Sequence, residues 1–227
     1  MNSPSILISN DDGIFSDGIY ALWEAMSEIG KTTVVAPNTE KSAVGHAITL
    51  SDPIRIQKVK RANGFAGFSV HGTPADSVKI AVKSIMDSKP DLIISGINVG
   101  ANVGQNLLYS GTISAATEGT FLGIPSIAIS LNSYEKCDFS GAKKVASKIV
   151  EAVLQNDLPI GTLLNVNVPS IPESNYLGYK ITKQGNLFFK DHFEKREDPL
   201  GRQYYWMTGV IVNPDSDIHW DGFALEK

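Results

Sequence analysis

The chain is short of cysteine, histidine and surplus positive charge, and each shortage closes off a class of function. Its 227 residues hold one cysteine, Cys137, which excludes an internal disulfide and fits a reducing compartment. Neither a Cys-x-x-Cys nor a His-x-x-x-His spacing offers a zinc site. With 20 Lys and Arg against 24 Asp and Glu, the net charge of -4 argues against a surface for a nucleic-acid polymer. It also gives no field that draws anions from a distance, so any phosphate must be held by local groups. No apolar stretch approaches a membrane span, and the first residues lack the basic and apolar regions of a secretory signal. A cytoplasmic protein without membrane attachment is therefore expected. Repeats and low-complexity tracts are absent as well, and 42% hydrophobic content is enough for one sizeable core with a smaller appendage.

What the chain does have is an apolar strand that ends in charge. Ile6-Leu7-Ile8 runs through Ser9 and Asn10 into Asp11-Asp12-Gly13, which places two adjacent carboxylates at the carboxyl end of a segment that reads as buried parallel strand. Ligands of open α/β sheets bind at that edge. Neighbouring strand residues point to opposite faces, so both carboxylates converge on one ion only if the chain bends, and Gly13 allows the bend. Two oxygen anions held together favour a divalent cation, Mg²⁺ or Mn²⁺. An Asx-type turn capping the following helix is the other reading of the same residues.

The rest of the chain alternates. Ile19, Leu22, Trp23, Met26 and Ile29 fall at helical spacing and predict a helix over Gly18 to Ile29, followed by a strand over Thr32 to Ala36. Shorter β segments are expected over Ile48 to Ile56 and Phe65 to Val70. Thr73 and Pro74 mark the start of a helix reaching about Met86. A buried strand over Asp91 to Ser95 opens into a glycine-rich loop running to Gly111. A helix from about Ser114 and a strand over Ser126 to Ser130 come next, and Ala142 to Leu154 with Leu163 to Val168 repeats the pattern. Strands alternating with helices imply an α/β fold whose mainly parallel sheet is covered on both faces. The composition changes after Pro169, dividing the chain into a core over residues 1–169 and an extension over residues 170–227. Within the extension, Phe188, Phe189, His192, Phe193, Tyr204, Tyr205 and Trp206 lie in a charged, helix-poor stretch. A projecting hairpin docked on another subunit, or a flap over its own core, would cover them.

Three further clusters carry chemistry. In the loop beyond the Asp91 strand, Gly96, Asn98, Gly100, Asn102 and Gly104 alternate with other residues. Glycines bring backbone N–H groups close to a ligand, and asparagines supply carbonyl oxygen to a metal or amide donors to phosphate. The spacing is not G-x-G-x-x-G and no Gly-Lys-Ser/Thr follows the loop, so neither standard nucleotide fingerprint applies there. Ser110-Gly111-Thr112 then leads into a helix whose amino end suits an anion. Finally, Glu40-Lys41-Ser42-Ala43-Val44-Gly45-His46 follows the second strand at the same sheet edge, where Ser42 offers a hydroxyl oxygen and His46 a possible substrate contact.

Taken in order, these clusters resemble the SurE survival-protein family of metal-dependent 5′/3′-nucleotidases. The resemblance rests on Asn10-Asp11-Asp12-Gly13, Val35-Ala36-Pro37, Ser42 to His46, Gly72-Thr73-Pro74-Ala75-Asp76, Ser95-Gly96-Ile97-Asn98 and Ser110-Gly111-Thr112 with Ser114-Ala115-Ala116. Asn165-Val166-Asn167-Val168-Pro169 and Tyr204-Tyr205-Trp206 extend it over nearly the whole chain. It implies a Rossmann-like doubly wound domain with a projecting C-terminal arm that joins subunits into a homodimer or homotetramer. It also implies one divalent cation per subunit on Asp11, Asp12, Ser42 and Asn98, with phosphate held by Asn102 and the Ser110-Gly111-Thr112 turn. Family members usually run on past the stretch matching Phe223 to Lys227.

The activity implied is hydrolysis of nucleoside 5′- or 3′-monophosphates, with short polyphosphate as a further substrate and Asp11, Asp12 and Asn102 as the catalytic residues. Attack by water is favoured over attack by Asp11 or Asp12, because a carboxylate neutralised by a metal is a poor nucleophile. A non-catalytic metal-dependent nucleotide-binding module would use the same pocket without turnover. A sugar-nucleotide transferase also holds a divalent ion at a strand end, but its two carboxylates are usually separated by one residue, unlike Asp11-Asp12.

Overall fold

The computed structural model describes residues 3–61, 63–133 and 137–227. The chain forms two compact units, one of residues 1–102 and 108–178 and the other of residues 103–107 and 179–227.

The larger unit is built on a seven-stranded sheet. Its strands, in chain order, are β1 (Ser5–Ser9), β2 (Lys31–Pro37), β3 (Arg55–Lys60), β4 (Ala66–His71), β5 (Leu92–Val99), β6 (Ser126–Asn132) and β7 (Leu164–Pro169), arranged spatially as β3-β4-β2-β1-β5-β6-β7. All pairings are parallel except β3 with β4. Helices α1 (Asp17–Ser27), α2 (Pro74–Ile80), α3 (Gly111–Phe121) and α4 (Ser140–Asn156) complete it. The alternation of β1 shows why the sheet is covered twice. Ile6 and Ile8 pack with Ile19, Leu22 and Met26 of α1 and Ala146 and Val150 of α4, whereas Leu7 packs with Val78 of α2 and Ala115 of α3. The expected doubly wound, mainly parallel α/β architecture is the one observed.

Chain order places the site. From β1 the chain moves outward to β2, and after β4 it returns to the other side of β1 as β5. The order therefore reverses between β1 and β5, where open sheets part to leave a crevice at the carboxyl ends of their strands. Asp11 and Asp12 follow β1 after Asn10 alone, and Asn98 is the penultimate residue of β5.

Several expected boundaries move, each for a local reason. The Asp91 strand runs on to Val99, because the register shift from Ser95↔Ala128 to Asn98↔Ser130 absorbs one extra residue as a bulge. Residues 48–54 are irregular and only Arg55 and Ile56 of that expected segment are strand; Pro53 lacks an N–H for a ladder, and Thr49 bonds to Asp76 through its N–H and hydroxyl. The helix expected from Ser114 begins at Gly111, since Ser110 is its N-cap and accepts from Ile113 N at 3.2 Å. The Thr73 helix is α-helical only to Ile80, capped by reciprocal Thr73 and Asp76 bonds, and ends in a π-helical turn over Ala81–Ile85.

The smaller unit contains an antiparallel hairpin of β8 (Phe188–Glu197) and β9 (Gln203–Val212), and a short helix, α5 (Asp221–Leu225). Asp221 ties this unit together, its carboxylate accepting from the N–H groups of Gly104 and Gly185. Along the hairpin, Phe193, Tyr205, Trp206 and Met207 each leave more than half of their surface exposed. Among the described residues, no helix is long and apolar enough to cross a membrane.

Candidate active site

The turn after β1 is made by Asn10, a motif residue to which the sequence by itself assigned no role. Its buried side chain donates to Gly13 O at 3.0 Å and Ser16 Oγ at 2.8 Å, and accepts from Gly13 N at 3.2 Å. Helix α1 takes its N-cap from Ser16. Turn and cap are thus supplied by Asn10 and Ser16, which relieves Asp11 and Asp12 of the Asx-type role. Gly13 has φ +95°, a conformation that favours glycine.

Asp11 points to the amino end of α3. One of its carboxylate oxygens accepts from the hydroxyl of fully buried Thr112, and the backbone N–H groups of Gly111 and Thr112 also hydrogen-bond the carboxylate. Loss of solvation outweighs these bonds, and the Asp11 carboxyl is held above the usual carboxylate range. The helix can come this close because Gly111 is bare: a Cβ there would lie 2.6 Å from Asp11 Cβ and 3.0 Å from Pro74 Cγ.

Asp12 is pushed up to about 7 by burial first, then by the charges of Asp11 and Glu40, with the N–H of Val99 pulling the other way. Its Oδ2 is buried without a hydrogen-bond partner. That atom is what a cation would take up, since an unmatched buried oxygen otherwise costs free energy. The influence of the Val99 N–H places Asp12 near the end of β5, where Asn98 is the neighbouring residue. Asn98 gives its amide nitrogen to Gly100 O at 2.7 Å, so its carbonyl oxygen is the atom it has to offer.

The loop after β2 meets the same edge. Lys41 N donates to Asp11 O at 2.7 Å, and the exposed Ser42 hydroxyl donates to the Glu40 carboxylate. The charge of Glu40 acting on Asp12 is a second contribution that sequence reasoning did not assign. His46 lies further off: its Nε2 is 3.0 Å from Glu118 Oε2 and its ring stacks on Phe121 with centroids 5.5 Å apart. Glu118, buried in the latter half of α3, also takes Lys79 Nζ at 2.6 Å. The imidazole is therefore engaged away from the amino end of α3.

Asn102 is buried, and its Nδ2 donates to Ser130 Oγ at 2.8 Å, leaving the second N–H of that amide. Ser110 Oγ accepts from Ile113 N and keeps its own hydrogen to give. Asp11, Asp12, the end of β5 and the start of α3 are brought together, and the Ser42 loop joins through Lys41 and Glu40. Among the described residues, no group of three or more His, Cys, Asp or Glu is placed to hold a metal. A cation here would rest on two carboxylates and neutral oxygens.

The family model described as Survival protein SurE matches residues 6–191. A 5′-nucleotidase SurE of Syntrophobacter fumaroxidans is 46% identical over 222 residues, covering 98% of this chain and 89% of its own. One from Thermosipho africanus is 47% identical over 223 residues, 98% of this chain and 88% of that relative. Among solved structures, the SurE protein from Aquifex aeolicus matches with a TM-score of 0.85 at 40% identity, over 98% of this chain and 89% of that one.

Proposed function

The chain belongs to the SurE survival-protein family, and on that premise we propose that it is a 5′-nucleotidase, a phosphomonoesterase that hydrolyses nucleoside monophosphates to nucleoside and phosphate. The observation that supports this most directly is the meeting of Asp11 with the amino end of α3. A carboxylate pair and a positive helix end share one crevice at the switch point of the sheet. Substrates of the 3′ series and short polyphosphate fall within the same proposal.

Asp11, Asp12, Ser42 and Asn98 would hold one divalent cation, Mg²⁺ or Mn²⁺. The fit rests on the unpartnered Asp12 Oδ2, on two carboxyls raised by burial, Asp12 further by the charges of Asp11 and Glu40, and on a donor set made wholly of oxygen. When bound, the cation supplies a Lewis acid for the phosphoryl group. The protein's own residues do the rest. Thr112 and the first amides of α3 fix the direction of Asp11. The free N–H of Asn102 and the Ser110 hydroxyl donate to phosphoryl oxygens as charge grows on them, and the dipole of α3 favours the same charge. Water attacks phosphorus in line with the ester oxygen, the P–O ester bond breaks, and that oxygen leaves as the nucleoside hydroxyl with a proton given up by the water. His46, held by Glu118 and Phe121, anchors the loop that carries Ser42.

We further propose that the exposed aromatic side chains of β8 and β9 are covered by another copy of the chain, as a homodimer or homotetramer, and that the protein works in the cytoplasm. A panel of nucleoside 5′- and 3′-monophosphates and polyphosphate, assayed for phosphate release after chelation and with each metal restored, tests the activity. Release from the 5′-monophosphates that chelator abolishes and one metal restores is expected. Tight nucleotide binding without phosphate release would overturn it.

A further inference from the structure

Asn102 lies in an irregular stretch beyond the end of β5, yet both of its main-chain polar groups are fixed, and side chains fix them. Asn167 of β7 accepts from Asn102 N at 2.8 Å through Oδ1 and donates to Asn102 O at 3.0 Å through Nδ2. A carboxamide that engages the N–H and C=O of one residue replaces the pairing that a neighbouring strand would give. Asn165, two residues back on the same face of β7, donates to the same carbonyl at 2.9 Å. Ser130, the register partner of Asn167 on β6, takes the Asn102 side chain at 2.8 Å. Two strands therefore determine the position of the Asn102 backbone and the direction of its amide.

The arrangement is costly for a sheet edge that needs only to be covered. The Oδ1 of Asn165 is buried without a partner, a cost that an apolar side chain would avoid.

We propose that Asn167 is a positioning residue for hydrolysis, and that with Asn165 and Ser130 it holds the Asn102 amide in the orientation that donates to the phosphoryl group in the transition state. The proposal rests on the reading of Asn102 as a phosphate donor. Misplacing a donor by about 1 Å costs on the order of 10²-fold in rate. Because Asn167 acts through Asn102, its effect belongs in kcat, with KM and the metal requirement little changed.

A double-mutant cycle tests it, with circular dichroism melts confirming that each variant is folded. Asn167→Ala is expected to lower kcat by about 10²-fold in the wild-type background and to lower it no further in Asn102→Ala. Ser130→Ala, which removes a single hydroxyl, should fold in any event and show a smaller loss that also vanishes in Asn102→Ala. Equal losses in both backgrounds would mark Asn167 as merely structural, and an unchanged kcat in folded Asn167→Ala would overturn its role outright. Full turnover by Asn102→Ala would instead remove the donor role of Asn102 and this inference with it, an outcome distinct from one in which Asn102→Ala fails and Asn167→Ala does not.

Discussion

The hydroxyl of Thr112 donates to the carboxylate of Asp11 across 101 residues of sequence, joining the start of α3 to the end of β1. The bond exists only because the preceding residue, Gly111, has no side chain. A Cβ at that position would sit 2.6 Å from Asp11 Cβ, a separation that forces something to move.

Gly111→Ala is therefore expected to push α3 away from β1. Overpacking of this kind typically costs about 1–3 kcal/mol of stability. Activity should suffer more than stability, because the same displacement releases Asp11 from Thr112. Thermal melts alongside phosphate release check this; a variant with wild-type turnover would show that the contact is not needed for catalysis.

The raised carboxyls make a pH prediction with a definite sign. Burial holds both Asp11 and Asp12 above the usual range, Asp12 at about 7, so the unfolded chain ionises before the folded one. The stability these groups permit is fully present below about pH 4 and is lost as pH rises toward about 7 when no cation is bound. In chelator, the denaturation midpoint of the wild type should fall between about pH 5 and about pH 8, and that of Asp12→Asn should fall less. Mn²⁺ should restore the wild type and leave Asp11→Asn and Asp12→Asn unmoved, since only a state that binds the ion is stabilised by it. An equal metal-induced shift in all three proteins would count against these ligands.

Asn98 and Asn102 should fail differently when truncated. Asn98→Ala is expected to raise the metal concentration needed for half activity. Asn102→Ala should leave that concentration nearly unchanged while lowering turnover roughly 10²- to 10³-fold, the usual loss for one donor to developing charge. Steady-state kinetics over a metal titration would separate the two, and identical signatures would show that the roles are misallocated.

The aromatic hairpin predicts an assembly. Phe189 on β8 and Tyr205 on β9 are both substantially exposed, and large aromatics at an interface centre typically contribute about 2 kcal/mol or more each. Phe189→Ala combined with Tyr205→Ala should shift the protein toward monomer while metal-induced stabilisation survives. Light scattering reads the first and melts with Mn²⁺ the second. A wild-type chain that is already monomeric at micromolar concentration would remove the proposal of a shared arm.

Much of this protein is legible in its amino-acid sequence, because it is written in local chemistry. An apolar run ending in Asp11-Asp12, a Gly and Asn loop after the next central strand, and Ser110 before a helix each state their meaning within a few residues. Period and turn chemistry therefore predict the alternating α/β order, pick out the residues proposed for the site, and locate the hairpin. Tertiary structure decided what depends on groups far apart in sequence. The bulge at Ser95 to Asn98 arises from pairing with β6, and a register exists only between two strands. Glu40 acts on Asp12, Glu118 draws in His46 and Asn167 fixes Asn102, each through a contact that closes only when the sheet is assembled. Hydrogen bonds and charges act over a few ångströms of space, and no spacing along the chain reports which residues the fold will bring that close.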